Sequence, residues 1–298
     1  MIDLVDVQAG KPLISIPITQ VGVSGIRYPV RVKRGDREID LLTEIDIFVD
    51  LPATRKGADF SRKIEAINEI ILNRKVIPSI EDLSQEIARK TLEKLEYSDG
   101  CVVKISADYL VEKVTKRGAP IVVPYKIKGE THFIRGKPSH KFVGVVVQGM
   151  NACPCAMETT RSLISSDFPG NEDLLSRIPS ITHNQRNTVI LTMQVPHENS
   201  VEADDLIEIC EKILGGSLYS LLKRIDEGEL VYNAHKNPKF VEDIVREIAA
   251  ESAKRYSAFP DDTKISVESR SDESIHPHNA FAKIDSTMGS IRQSLAPS

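Results

Sequence analysis

Apolar residues alternate with polar ones along much of the chain, and at intervals the period lengthens from two to between three and four. Residues 13–32 alternate and predict a strand with a turn at Ser24-Gly25. Residues 39–51 alternate again, with Ile45, Ile47 and Val49 on one face, and predict its partner. Over 60–72 the spacing of Ile64, Ile67, Ile70 and Ile71 is helical. Pro78-Ser79 opens a second helix over 80–95, with Leu83, Ile87, Leu92 and Leu95 on one side. Strands are predicted over 101–114 and over 121–134, the latter around a Lys128-Gly129 turn. The first half thus reads β-β-α-α-β-β. In the second half, 142–148 and 188–195 pair as strands across an insertion that contains a short helix near 157–164. Residues 203–222 are helical, divided at Gly215-Gly216. Asn237 is the predicted N-cap, and Pro238 the first residue, of a helix running to about 255. Strands over 264–269 and 280–291 close the chain. The same order appears twice, which predicts an α+β protein of two tandem ββααββ modules, 1–137 and 138–298. Each module leaves sheet edges open. Joining edges between subunits into a closed barrel removes them, so a homo-oligomer is expected.

Composition narrows the function more than the fold. The 298 residues are 41% hydrophobic and 28% charged, with a net charge of −4. That is ordinary for a globular protein. No Lys/Arg run has the length of a nucleic-acid arm, so no nucleic-acid partner is expected. No apolar run is long enough for a bilayer, and residues 1–11 carry no signal pattern, so the expected location is the cytoplasm and no membrane partner is expected. Four cysteines are too few for a disulfide framework. In a reducing compartment a close pair points to metal binding or catalysis.

That pair is Cys153-Pro154-Cys155, between a buried strand and a helix. Backbone N–H groups are free at such a junction, which suits a sulfur anion. Two buried cysteines without a role are the plainer alternative. The intervening proline argues against it, because it stiffens the segment and turns the two thiols apart. Thr182-His183-Asn184-Gln185-Arg186 stands at a strand entrance, where a solvated polar turn is the alternative. Glu273-Ser274-Ile275-His276-Pro277-His278 holds two histidines around a proline, half a metal site or an incidental surface loop. Lys223-Arg224-Ile225-Asp226-Glu227 at a helix end, and Glu242 one turn into the helix capped by Asn237, read as solvated charges when taken singly. Together, one cysteine, two histidines and a carboxylate make a donor set for Fe(II), Zn(II) or Mn(II) with room for water or substrate.

In this order the motifs resemble the GTP cyclohydrolase type IB/type IV family. The segments are Val21-Gly22-Val23-Ser24-Gly25, Lys56-Gly57-Ala58-Asp59-Phe60-Ser61-Arg62, Cys153-Pro154-Cys155, Thr182 to Arg186, Asn237-Pro238-Lys239-Phe240-Val241-Glu242-Asp243, and Glu273 to His278. The long stretch between Cys155 and His183, including Phe168-Pro169-Gly170-Asn171, is more like the archaeal branch. The resemblance implies a tunnelling fold (T-fold) assembled into barrels as a homodimer or homotetramer. It implies a metal site of Cys153, His183, Glu227 and His276, with Fe(2+) first and Mn(2+) or Zn(2+) as alternatives. It makes Cys155 and His278 catalytic and sets Glu242 on the guanine edge, where a carboxylate accepts two parallel N–H bonds. Arg186, Lys223 and Arg62, with Arg27 and Lys56, are phosphate candidates. GTP is the implied substrate. The archaeal branch forms formate, pyrophosphate and 7,8-dihydroneopterin 2′,3′-cyclic phosphate; the type IB branch forms dihydroneopterin triphosphate for folate. Two other readings compete: a T-fold nitrile reductase with one thiol and no metal, and a closed structural zinc site of Cys153, Cys155, His276 and His278.

Overall fold

A computed structural model describes residues 6–35, 37–73, 76–115, 117–197, 199–215 and 218–296. Its elements are β1 (Ile18–Arg34), β2 (Arg37–Leu51), α1 (Phe60–Ile71), α2 (Ile80–Lys94), β3 (Gly100–Val114), β4 (Pro120–Ile134), β5 (His140–Ala152), α3 (Pro154–Asp167), α4 (Glu172–Arg177), β6 (Asn184–Val195), α5 (Ala203–Ile213), α6 (Arg224–Lys236), α7 (Val241–Arg255), β7 (Lys264–Asp272), β8 (Ala280–Thr287) and α8 (Met288–Leu295). The architecture is α+β, with the strands in sequence order in an eight-stranded sheet. The pairs β1–β2, β2–β3, β6–β7 and β7–β8 are antiparallel. The chain divides into two compact units, 1–109 with 127–143, and 110–126 with 144–298. The boundary at 137/138 read from the sequence falls in the β4–β5 connection, ahead of the unit boundary at 143/144.

In the first unit, the alternation that predicted β2 and β3 becomes a buried face. Ile45, Ile47 and Val49 stand beside Val103, Ile105 and Cys101, and Ile67, Leu83, Ile87 and Leu92 of the helices are buried with them. Ser79 caps α2, its hydroxyl accepting from the Asp82 amide at 3.1 Å. Two predicted turns are strand instead. Ser24-Gly25 is a bulge in β1, where the register shifts between Val23 and Ile26. Gly25 has φ +70° there, and its amide donates to Asp46 Oδ1 at 2.8 Å. Gly129 lies inside β4. A Cβ on it would come 2.7 Å from the Glu81 amide nitrogen, so this glycine admits the start of α2 rather than a turn.

In the second unit, Val189, Leu191 and Met193 of β6 and Ile265 and Val267 of β7 are buried, as are Leu206, Ile209 and Cys210 of α5 and Ile244, Val245 and Ile248 of α7. Residues 110–126, the outer end of the β3–β4 hairpin, belong here. Lys113 Nζ donates to Glu211 Oε2 on α5 at 2.5 Å, and the Tyr125 hydroxyl donates to the same carboxylate. Arg117 donates to Asp226 at 3.0 Å and to Glu229 at 2.9 Å on α6.

Helix boundaries in this unit correct the sequence expectations. The helix predicted over 203–222 stops at Ile213, and Gly216 of its predicted division lies outside the described residues. Lys223 to Glu227 begin a helix, α6, instead of ending one; Asp226 accepts from the Lys223 amide at 3.1 Å and closes the first turn. Asn237 is the C-cap of α6, its amide donating to the Asn233 carbonyl at 3.3 Å. The next helix starts only at Val241, so Glu242 is its second residue and not one turn in. The last strand ends at Thr287, whose hydroxyl caps α8 by accepting from the Ser290 amide at 3.3 Å. Among the described residues, no helix is long and apolar enough to cross a membrane.

Candidate active site

The Cys153 and His183 segments meet at the end of β5. Cys153 follows the strand in extended conformation and caps α3, with Sγ accepting from the Ala156 amide at 3.5 Å and Pro154 in the first turn. The proline separates the thiols: Cys153 is half-buried and Cys155 exposed. Buried Met157 anchors α3 to the unit.

Two hydrogen bonds join this segment to the next motif. The Cys153 amide donates to the His183 carbonyl at 3.1 Å, and the Thr182 hydroxyl donates to the Cys153 carbonyl at 2.7 Å. Residues thirty positions apart are thereby neighbours. His183 is held in turn by its Nδ1, which lies 3.0 Å from Gln185 Oε1, 3.5 Å from Ser274 Oγ and 3.8 Å from Glu273 Oε2. Gln185 Nε2 donates to the other oxygen of Glu273 at 3.4 Å, which ties in the third motif. A carboxamide oxygen only accepts, so Nδ1 is the donor in this contact. Carboxylates and amides orient metal-binding histidines in this manner.

Glu227 is exposed on the first turn of α6 and lines an open cleft of about 540 Å³ with Ile181, Arg224, Tyr232 and His235. His235 Nδ1 lies 2.8 Å from the Val231 carbonyl and Nε2 3.4 Å from the Thr182 carbonyl, so α6 touches the segment that carries His183. Glu242 is exposed, and its segment is joined to the end of β5 by a bond from the Lys239 amide to the Ala152 carbonyl at 3.3 Å. His276 and His278 lie in the exposed β7–β8 loop with their rings stacked, 5.0 Å apart and 11° from parallel.

The donors fit a borderline divalent ion by chemistry, with a helix-capping sulfur on one segment and an imidazole on the segment bonded to it. Among the described residues, no three His, Cys, Asp or Glu side chains are gathered around one point. Arg186 is exposed on β6 opposite Asp272, and Lys223 is exposed ahead of α6. In the first unit, Arg62 pairs with Glu65 at 3.1 Å, Arg27 lies 3.8 Å from Glu44, and Lys56 is exposed. Arg224, adjacent to Lys223, is the arginine in the cleft. Which of two neighbouring cations faces a cleft is set by helix phase, which depends on where the helix starts. Glu273 and Lys239 also acquire structural roles here. Both stood inside motifs already singled out, but only their partners reveal what they hold.

The four thiols differ in reactivity. Burial pushes Cys101 up to about 12 and drives Cys210 upward as well, whereas Cys155 is exposed. The thiolate is the reactive form. Iodoacetamide on the native protein at pH 8 is therefore expected to label Cys155 first and leave Cys101 and Cys210 unmodified until denaturation, as read by peptide mass mapping. Early labelling of Cys210 would contradict the packing of α5.

Known proteins match nearly the whole chain. Residues 4–282 match the model of the family described as Type I GTP cyclohydrolase folE2. The chain belongs to this family. It is 43% identical over 293 residues to the GTP cyclohydrolase MptA of Thermoplasma acidophilum, covering 98% of this chain and 99% of that one. It is 37% identical over 313 residues to the GTP cyclohydrolase MptA of Methanosarcina mazei, covering 99% and 98%. Among solved structures it is similar to a uricase from Bacillus fastidious, with TM-score 0.54 and 10% identity over 94% of this chain and 97% of that one. A urate oxidase from Bacillus sp. TB-90 gives TM-score 0.53 at 12% identity, over 94% of this chain and 100% of that one. At such identities the likeness is one of fold.

Proposed function

We propose that this chain is a GTP cyclohydrolase that hydrolyses GTP at guanine C8 and releases formate, pyrophosphate and 7,8-dihydroneopterin 2′,3′-cyclic phosphate, the first step of methanopterin-type pterin biosynthesis. The observation that carries this is the direct bonding of the Cys153 segment to the His183 segment, beside the cleft that Glu227 lines. The identity to GTP cyclohydrolases named MptA supports the archaeal-type product.

In this proposal Cys153, His183, Glu227 and His276 hold Fe(2+), with Mn(2+) or Zn(2+) as substitutes. When bound, such an ion supplies Lewis acidity that brings the pKa of a water molecule towards neutrality. Gln185 and Glu273 hold the His183 ring through Nδ1, which leaves Nε2 as the nitrogen to meet the ion. Glu242 accepts N–H bonds from guanine N1 and the 2-amino group, which selects guanine over adenine. Cys155 and His278 donate protons to the ring nitrogens as the imidazole ring opens and formate leaves. Arg224 joins Arg186 and Lys223 in neutralising the phosphates. Two ββααββ modules per chain, paired edge to edge in a homodimer or homotetramer, would close the sheets into T-fold barrels and cover their open edges.

Anaerobic incubation with GTP and Fe(2+), followed by mass analysis of the pterin, tests the proposal. A cyclic phosphate is expected. A dihydroneopterin triphosphate would overturn the archaeal product, and absence of formate would overturn the activity.

A further inference from the structure

The last residues of β5 and the cysteine after it together hold three different segments of the second unit. The Met150 carbonyl accepts from the Gly215 amide at 3.1 Å. The Asn151 side chain is 4% exposed; its Nδ2 donates to the Lys239 carbonyl at 2.6 Å and its Oδ1 accepts from the Ala152 amide at 2.9 Å. The Ala152 carbonyl accepts from the Lys239 amide at 3.3 Å, and the Cys153 amide donates to His183. Lys239 is itself immobilised. It is 7% exposed, and its Nζ donates to the Ile213 carbonyl at 3.0 Å and to Glu247 Oε2 at 2.5 Å. The hub has no room to slide, since a Cβ on Gly215 would sit 2.8 Å from the Met150 carbonyl oxygen and 3.0 Å from Ala234 Cβ of α6.

We infer that Asn151, with Lys239, is a positioning residue that sets the distance between the metal-side group Cys153 and the guanine-side group Glu242. Cys153 is two residues beyond Asn151 along the chain, and Glu242 is three beyond Lys239. The amide of Asn151 bridges the two short arms through a buried hydrogen bond. Without this bridge a guanine whose C8 is correctly placed relative to Cys153 no longer meets Glu242, so the contact to the 2-amino group is lost as C8 reacts. Reaction rate depends steeply on such placement, with about 10²-fold lost for a 1 Å error. The inference rests on the proposed guanine role of Glu242.

The sharpest variant is Asn151→Asp. It keeps the volume and the acceptor for the Ala152 amide; ionised, it replaces the donor to the Lys239 carbonyl with an acceptor and adds a negative charge. The readout is the ratio of kcat/KM for GTP to that for ITP, which lacks the 2-amino group. This ratio does not depend on how much of the preparation is folded. Wild type is expected to favour GTP, and Glu242→Gln is expected to bring the ratio close to one. Asn151→Asp is expected to lower the ratio by about tenfold or more, within the range such misplacement produces, while its iron content stays that of wild type. Lys239→Met is expected to move the ratio in the same direction, and Lys239→Arg to restore part of it. A wild-type ratio in Asn151→Asp, with Glu242→Gln lowered as expected, would overturn the positioning role and leave the guanine anchor standing. An unchanged ratio in Glu242→Gln would overturn both.

Discussion

In a Cys155→Ala variant, formate release from GTP is expected to fall by about 10²–10⁴-fold, the range over which a positioned proton donor acts, while bound metal stays at the wild-type level. The geometry makes this a clean experiment. Cys155 is exposed in the first turn of α3, and the bond at this position runs from the Thr159 hydroxyl to the Cys155 carbonyl at 3.0 Å, a main-chain group that alanine retains. Alanine is also the best helix former. The melting temperature should therefore hardly move. Cys153, by contrast, is half-buried and its sulfur caps α3. Turnover assays, elemental analysis and a thermal melt on the same preparation separate the outcomes. Full turnover would remove the proton-donor role from Cys155. Loss of metal together with turnover would make Cys155 a ligand and exchange the roles given to the two thiols.

The second large effect is on stability and concerns Gly22. A Cβ added there would stand 1.8 Å from the Ile47 carbonyl oxygen, 2.8 Å from the Ile47 carbonyl carbon and 2.9 Å from the Phe48 Cα. All three atoms are backbone of β2, whose Ile47 side chain is fully buried, so neither strand can yield alone. Gly22→Ala is expected to cost at least about 3 kcal/mol, the upper end of what overpacking usually costs. Gly25 is the control in the same strand. Nothing lies within 4 Å of a Cβ there, and the residue has φ +70°. Gly25→Ala should cost only the left-handed backbone penalty of about 1–2 kcal/mol. Urea unfolding followed by circular dichroism ranks the two. If Gly22→Ala unfolds at the wild-type midpoint, the close approach of β1 to β2 is wrong.

Periodicity was a good guide where burial follows the repeat of the element. The alternation of Ile45, Ile47 and Val49 and the helical spacing of Ile64, Ile67 and Ile70 both became buried faces or their margins. It was a poor guide at glycines and at helix ends. Gly25 and Gly129 looked like turns because a glycine in a sequence signals local freedom. One sits in a bulge, and the other makes room for the backbone of α2. Asn237-Pro238 looked like a helix start because Asn and Pro favour that position locally. Asn237 instead ends α6 as its C-cap, and the next helix starts only at Val241.

The same division holds for the candidate site. The sequence by itself determined the motifs, the chemistry of their side chains and, through their order, the family. Those properties are local, or depend on residues read along the chain. Only the tertiary structure decided that Cys153 bonds to His183, that Glu273 supports that histidine through Gln185, that Arg224 lines the cleft, and that Asn151 ties the Cys153 arm to the Glu242 arm. Each of these is a contact between residues far apart in the chain. No spacing encodes such a contact, because it exists only once the buried faces of β5, β6 and α7 have brought their ends together.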